Sequence, residues 1–356
     1  MPVLDLEGDP IALLRALIDI ESVSGNEAEI AGSIEAALRP YGHLAVTRDG
    51  NVILARTELG RGSRVVIAGH IDTVPVANNL PSRVTGTDHD TLVWGRGACD
   101  MKGGVAVQLV AAAALTQPAR DVTWIFYDCE EVEASRNGLT RISRERPGDL
   151  AGDFAVLCEP SNARVEGGCQ GTMRIEVELH GLAAHSARAW MGRNAVHDAA
   201  PVLRRLAEYQ PAEVEVDGLL YREGLNAVRI SGGTAGNIIP DTCEIEINYR
   251  FAPDKSPEQA EEQIRQVLTG FPVEVTDVAA GARPGLDRPA AKEFVAAVGG
   301  EPSAKFGWTD VARFSAMGVP AVNFGPGNPS KAHADDEFCP AAEVVACRNA
   351  LVRWLT

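Results

Sequence analysis

Three segments dominated by apolar residues, RVVIAGH (64–70), VTWIFYD (122–128) and DFAVLCE (153–159), run without the polar alternation of a half-exposed strand, and each ends on a histidine or a carboxylate. Strands of that kind are buried on both faces, as in parallel sheets. Helical stretches separate them: MKGGVAVQLVAAAALTQ, built of small residues, and a second near 136–146. Strands alternating with helices predict an α/β fold, a mostly parallel sheet with helices on both faces. In such sheets ligands gather beyond the carboxyl ends of the strands. His70, Glu130, Glu131 and Glu159 fall there. Upstream, IALLRALIDI and NEAEIAGSIEAALRP carry helical spacing. In ESVSGNE between them, Ser24 with Glu27 three residues on predicts a capping box. HLAVTR and NVILAR flank the turn dipeptide Asp49-Gly50 and predict a hairpin.

The pattern changes after Gly171. TMRIEVELHG, LNAVRISGG and TCEIEINYRF alternate with period two, whereas NAVHDAAPVLRRLAEY and SPEQAEEQIRQVLTG are amphipathic helices. They predict an α+β domain with a four-stranded antiparallel sheet and two helices. From about residue 283 the α/β grammar returns in DRPAAKEFVAAVG, TDVARFSAMG, PAVNFG and AAEVVACRNALVRWL. The expected organisation is one domain of residues 1–170 and 283–356 with residues 171–282 inserted into it.

Composition narrows the function. With 356 residues, two domains are the default. Acidic residues number 49 against 33 basic ones, a net charge of −16 without a basic stripe, which argues against nucleic acid as a partner. No run of 18 uncharged apolar residues exists, so a membrane span is not expected. The acidic start, MPVLDLEGDPIALLRALIDIES, lacks the positive charge of a signal peptide, and cytoplasmic location is the expectation. The seven cysteines are scattered and odd in number, so disulfides are not expected. Cys99, Cys129 and Cys158 each precede a charged candidate and are read as small core residues, because neighbours along a strand face opposite ways.

The candidates are His70 in VVIAGHIDTVP, Asp100 in WGRGACDMKGG, Glu131 in WIFYDCEEVE, Glu159 in FAVLCEP and His333 in KAHADDEF. Two imidazoles and three carboxylates can hold two divalent ions about 3.5–4 Å apart, the spacing of two-metal hydrolases. Asp72 lies two residues from His70, on the same side of an extended chain. Glu130 and Glu131 are adjacent and cannot both be ligands in one direction. GRGACDMKGG lacks the GxxxxGK[ST] spacing of a phosphate loop.

In order and spacing, GHIDTVP, WGRGACDMKGG, the Glu130-Glu131 pair, CEP and the late histidine before acidic residues resemble the M20 family of co-catalytic metallopeptidases and deacylases. Within it, GGCQGTMRIEV, AHSARAWMGRNAVH, NYRFAPD and AKFGWTDVARFS look most like its desuccinylase branch of actinobacterial type. The resemblance implies hydrolysis of N-succinyl-L,L-2,6-diaminopimelate to succinate and L,L-diaminopimelate. Acetyl-ornithine deacetylation, aminoacylase or dipeptidase activity are the alternatives, and a non-catalytic binding protein is the remaining one. It makes His70 and Glu159 the ligands of one ion, Glu131 and His333 those of the other, and Asp100 the bridge, followed by a cis peptide to Met101. Zinc suits this donor set, with cobalt or manganese as alternatives. Glu130 becomes the general base and Asp72 the group that orients imidazole or base. His185, in the inserted lid and dimerisation domain, would cross a homodimer interface to stabilise an oxyanion. Asn237, Arg250 and, with less support, Arg188 would contact the acylated amino-acid substrate. His43, His89, His180 and His197 match no catalytic position.

Overall fold

A computed structural model of the chain describes residues 2–356. Two compact units result: Met1–Gly167, Pro284–Ser303 and Arg313–Thr356 form the first, Gly168–Arg283 and Ala304–Ala312 the second. The first is built on an eight-stranded sheet, six of whose strands follow the order Ala45–Asp49, Val52–Arg56, Asp121–Tyr127, Arg64–His70, Phe154–Leu157, Ala321–Asn323. Arg64–His70 is parallel to both of its neighbours, and Phe154–Leu157 is parallel to Ala321–Asn323. The first two strands are antiparallel, because Asp49 pairs with Val52 and leaves a two-residue turn at Gly50 (φ 58°). Positive φ at a hairpin turn is the geometry that favours glycine. The α/β expectation is therefore met, parallel in the centre and antiparallel toward both edges, where Val52–Arg56 pairs with Asp121–Tyr127 and Ala321–Asn323 with Glu166–Gly167.

Small residues in the Gly103–Ala114 helix let it lie close to the sheet. A Cβ on Gly104 would stand 2.1 Å from the carbonyl oxygen of Cys158, so the helix can approach the strand end that carries Glu159 only as glycine. Helix Ala341–Leu355 packs against this helix and brings Trp354 against Phe294 and Phe154. Phe294 lies 4.8 Å from Trp354, 5.3 Å from Phe324 and 5.7 Å from Phe154, centroid to centroid.

In the second unit a four-stranded antiparallel sheet has the order Gly224–Gly232, Thr242–Phe251, Gly171–His180, Glu274–Ala279. Alternation does what the sequence implied: Met173, Ile175, Val177 and Leu179 face Val202, Leu206, Ala260 and Ile264 of the two covering helices. Ser256 caps the Pro257–Val267 helix with a complete capping box. Two details differ from the sequence reading. The stretch 194–209 is two helices, Ala195–Asp198 and Ala200–Glu208, because Pro201 has no N–H to continue the first. A further hairpin pairs Glu213–Val216 with Leu219–Arg222, turning on Asp217-Gly218 at φ 49° and 82°.

The Ser24 capping box is not formed. The second helix starts at Ala28, its N-cap Glu27 makes no side-chain capping bond, and the Ser24 hydroxyl is used elsewhere.

Replacing Phe294 with alanine would remove the centre of the aromatic cluster and is expected to lower unfolding free energy by about 3–5 kcal/mol. Urea denaturation checks this, and a loss under about 1 kcal/mol would contradict the packing described.

A candidate metal centre

Strand register brings the candidates level. Ala68 pairs with Leu157, so His70 and Glu159, each two residues further on, leave adjacent parallel strands at the same height. His70 pairs with Tyr127, after which the chain turns through Cys129 at φ 56° to present Glu130 and Glu131. Positive φ is uncommon outside glycine, and here it turns the two glutamates out of the strand direction. His70 is buried and Glu159 is 5% exposed.

Buried Asp72 organises this corner. Its Oδ1 accepts the N–H of Glu130 at 3.0 Å, and its Oδ2 accepts the N–H of Glu131 at 3.1 Å and the Ser24 hydroxyl at 2.7 Å. His70 Nδ1 lies 3.0 Å from the Asp72 carbonyl oxygen and 3.4 Å from Oδ1. Its Nε2 reaches Asp100 Oδ1 at 3.1 Å. His333, at φ 65° on its loop, places Nε2 3.0 Å from Glu131 and 3.5 Å from Asp100 Oδ2. Donor atoms of His70, Asp100 and Glu131 lie within 4.8 Å of one another. The bond from Asp100 to Met101 is cis.

Glu337 is the residue that sequence reasoning missed. It is 1% exposed and accepts the N–H groups of Gly97, Cys99 and Asp100 at 3.0, 3.1 and 3.1 Å, together with Arg96 Nη1 at 3.0 Å. Arg96 also donates to the carbonyls of Pro75 and Ala334. One buried ion pair thus fixes the turn carrying Asp100 and ties the His333 loop to the segment after Asp72. Asp335-Asp336-Glu337 looks like a solvated run in sequence, and only its last member turns inward. Lys102 is a second such group: its buried ammonium donates to the Ile20 carbonyl at 2.7 Å, and burial lowers its pKa to about 7.

The cluster's electrostatics favour positive charge at its centre. Burial pushes the Asp100 carboxyl up, but hydrogen bonds from His333 and His70 outweigh it and hold it well below its ordinary value. Burial opposes charge on His70, yet Asp100 and Asp72 raise its pKa. Asp100 and Glu131 raise His333 to about 10. Glu131 is raised by burial and then by the negative charge of Asp100. Carboxylates packed this closely need cations between them. Imidazole and carboxylate donors are the set that zinc, cobalt and manganese accept, so the residues fit divalent metal.

A second group, Glu27, Asp128 and Cys129, also has donor atoms within 4.8 Å of one another, but it is held by hydrogen bonds. Glu27 Oε1 accepts the Gly25 N–H at 2.6 Å and the Cys129 thiol at 3.3 Å. Burial, followed by the charge of Glu27, pushes that thiol up to about 12, so it remains a donor. All seven cysteines are free and buried, Cys99 and Cys158 among them.

His185, Arg188, Asn237 and Arg250 belong to the second unit. His185 Nδ1 accepts the Ala187 N–H at 3.0 Å, and the Ser186 N–H donates to the Asn237 carbonyl at 2.9 Å, so the two segments are tied together. His185, Arg188 and Asn237 are exposed. Arg250 is half-buried, donates Nε to Asn248 Oδ1 at 3.2 Å, and is lowered in pKa by burial and then by Arg174.

Glu337→Gln would leave Arg96 without its anionic partner and is expected to cost about 3 kcal/mol of stability. It is also expected to weaken affinity for a divalent ion roughly 10–100-fold. Denaturation and chelator competition check both, and wild-type values in each would contradict the role given to this carboxylate.

The family model for peptidase family M20/M25/M40 matches residues 66–356. A succinyl-diaminopimelate desuccinylase of Corynebacterium glutamicum is 48% identical over 366 aligned residues, covering 100% of this chain and 98% of its own. A Mycobacterium tuberculosis protein assigned provisionally to the same activity is 53% identical over 356 residues, 99% of each chain. Among solved structures, a Staphylococcus aureus tripeptidase superposes with a TM-score of 0.80 at 20% identity, over 99% of this chain and 98% of its own. A dinuclear metal binding peptidase from Bacillus subtilis does so at 0.70 and 20%, over 98% and 97%. At these identities the structures speak for the fold. Family model and full-length relatives together show that this chain belongs to peptidase family M20/M25/M40, as a metal-dependent amide hydrolase.

Proposed function

We propose that the chain hydrolyses N-succinyl-L,L-2,6-diaminopimelate to succinate and L,L-diaminopimelate, as a step in lysine and diaminopimelate synthesis. The observation that carries this reading is identity of 48% and 53% along the full length of two desuccinylase-named relatives, joined to a cluster whose donors fit divalent metal.

His70 and Glu159 would hold one ion, Glu131 and His333 the other, with Asp100 shared; zinc is the proposed metal, with cobalt or manganese able to replace it. Bound there, the ions polarise the amide carbonyl and lower the pKa of water. Glu130 takes the proton from the attacking water. As the water oxygen bonds to the amide carbon, that carbon becomes tetrahedral and its oxygen gains negative charge. Glu130 then gives the proton to the nitrogen, the carbon–nitrogen bond breaks, and succinate and the free amine result. Asp72 holds the backbone of Glu130 and Glu131, keeping the base aimed while it changes protonation state.

The first unit carries this chemistry, and the second serves as lid and dimerisation module. His185 supplies a donor to the oxyanion in the site of a partner copy, and Asn237, Arg250 and Arg188 receive the substrate's carboxylates. An arginine can bind carboxylate with two parallel hydrogen bonds, which a substrate rich in carboxylates needs on a chain of net charge −16. A homodimer is supported by the Gly224–Gly232 edge strand, where Val228 and Ile230 are 57% and 48% exposed. Open apolar edges of that kind invite pairing. No helix among the described residues is long and apolar enough to cross a membrane. The seven free thiols favour a reducing compartment, and the cytoplasm is proposed.

Glu130→Gln is expected to abolish turnover while the protein retains its metal. Metal analysis beside a rate assay checks this, and retained turnover would sink the assignment of the base. With zinc-loaded protein, kcat/KM for N-succinyl-L,L-diaminopimelate is expected to exceed that for N-acetyl-ornithine and for a dipeptide. Preference for either of the latter would overturn the substrate while leaving the metal centre in place.

A further inference from the structure

The loop between the first two helices, Pro10–Ile18 and Ala28–Leu38, lies ahead of the 66–356 span that the family model covers. It nevertheless enters the site. Its Ser22 hydroxyl donates to the Ile71 carbonyl at 2.7 Å. The Thr73 N–H donates to Ser22 O at 2.9 Å, and the Ser24 N–H donates to Thr73 O at 3.1 Å. These bonds run to backbone and would form with other residues at position 24. Two contacts depend on the side chain there: the Ser24 hydroxyl donates to Asp72 Oδ2 at 2.7 Å, its short bond, and lies 3.4 Å from the Thr73 carbonyl oxygen.

Asp72 is fully buried, so no bulk water stands ready to replace that donor. Without it, Oδ2 keeps the Glu131 N–H, while Oδ1 keeps the Glu130 N–H with His70 Nδ1 3.4 Å away. The carboxylate then has less to oppose rotation toward the imidazole, and any rotation carries the amides of Glu130 and Glu131 with it. Loop shape does not depend on the hydroxyl alone. Glu27 anchors it separately through Gly25 N–H, Cys129 Sγ and Asn51 Nδ2.

We propose that Ser24 is a positioning residue of the metal centre, its hydroxyl fixing the Asp72 carboxylate and, through it, the placement of Glu130 and Glu131. For its kinetic consequence this rests on the amide-hydrolase reading above; for its effect on metal binding it does not. Asp72, bonded directly to candidate ligands, is the kind of partner that typically contributes 10–100-fold in affinity or activity, and Ser24 acts through it.

The test compares Ser24→Ala, Ser24→Thr and Ser22→Ala in the full chain. Three quantities are read for each: kcat and KM on N-succinyl-L,L-diaminopimelate, Co²⁺ affinity by chelator competition, and the visible spectrum of the Co²⁺-loaded protein. Ser24→Ala is expected to lose up to roughly tenfold in kcat or Co²⁺ affinity, with KM unchanged, an altered Co²⁺ spectrum and a loss of thermal midpoint comparable to that of Ser22→Ala, which also gives up a hydroxyl donor to a buried acceptor. Ser24→Thr, which keeps the hydroxyl, is expected to restore all three. Ser22→Ala, which loses a bond to backbone alone, is expected to keep the wild-type spectrum. Wild-type values in Ser24→Ala would overturn the proposal, as would equal losses in the alanine and threonine variants or losses that follow stability alike in Ser24→Ala and Ser22→Ala. An altered Co²⁺ spectrum in a chain that does not cleave the succinyl substrate would uphold Ser24 and reject the substrate instead.

Discussion

Holding Asp100 and Glu131 beside each other, close to His70 and His333, is the constraint on which this molecule depends. Like charges a few ångströms apart repel, and burial makes the repulsion worse. The chain meets that cost with donors that are part of its backbone. Asp72 is fixed by the N–H groups of Glu130 and Glu131, and Glu337 by those of Gly97, Cys99 and Asp100. These two buried carboxylates fix the turns that present the base and the candidate metal ligands. Their own charge adds to the demand for cations at the centre.

A parallel sheet suits that arrangement. Register between Ala68 and Leu157 sets His70 and Glu159 level without help from loops. The close helix permitted by Gly104 stiffens the strand end from behind. Residues delivered by loops, Glu131 and His333, are instead fixed by buried bonds to Asp72 and through Arg96. Rigid elements set the coarse geometry, and hydrogen bonds from loops to buried carboxylates set the remainder. The second unit is organised separately, around an alternating sheet with helices on one face, and its functional candidates lie in exposed segments at 185–188 and 237 and on the half-buried Arg250.

Much of this was legible in the sequence because it follows from periodicity. Unbroken apolar runs gave the central strands, and alternation from Thr172 to Gly181 gave the open sheet. His70, Asp100, Glu131 and His333 stood out because each sits in a motif with fixed spacing, and the structure brings these four together. What stayed hidden depends on partners distant in sequence. Ser24 looks like a helix cap by local rule, but its partner Asp72 is 48 residues away. Glu337 resembles its solvated neighbours Asp335 and Asp336 until Arg96, 241 residues away, draws it inward. The 194–209 stretch failed as one helix for a local reason, since the proline at 201 outweighs the hydrophobic spacing on either side.

The measurement that most directly addresses the centre is anomalous diffraction at the zinc edge from crystals of zinc-loaded protein. Two peaks about 3.5–4 Å apart are expected, one beside His70 and Glu159, the other beside Glu131 and His333, with Asp100 between them. A single peak, or density at Glu27, Asp128 and Cys129 with none at Asp100, would contradict the two-metal centre on which the proposed chemistry stands.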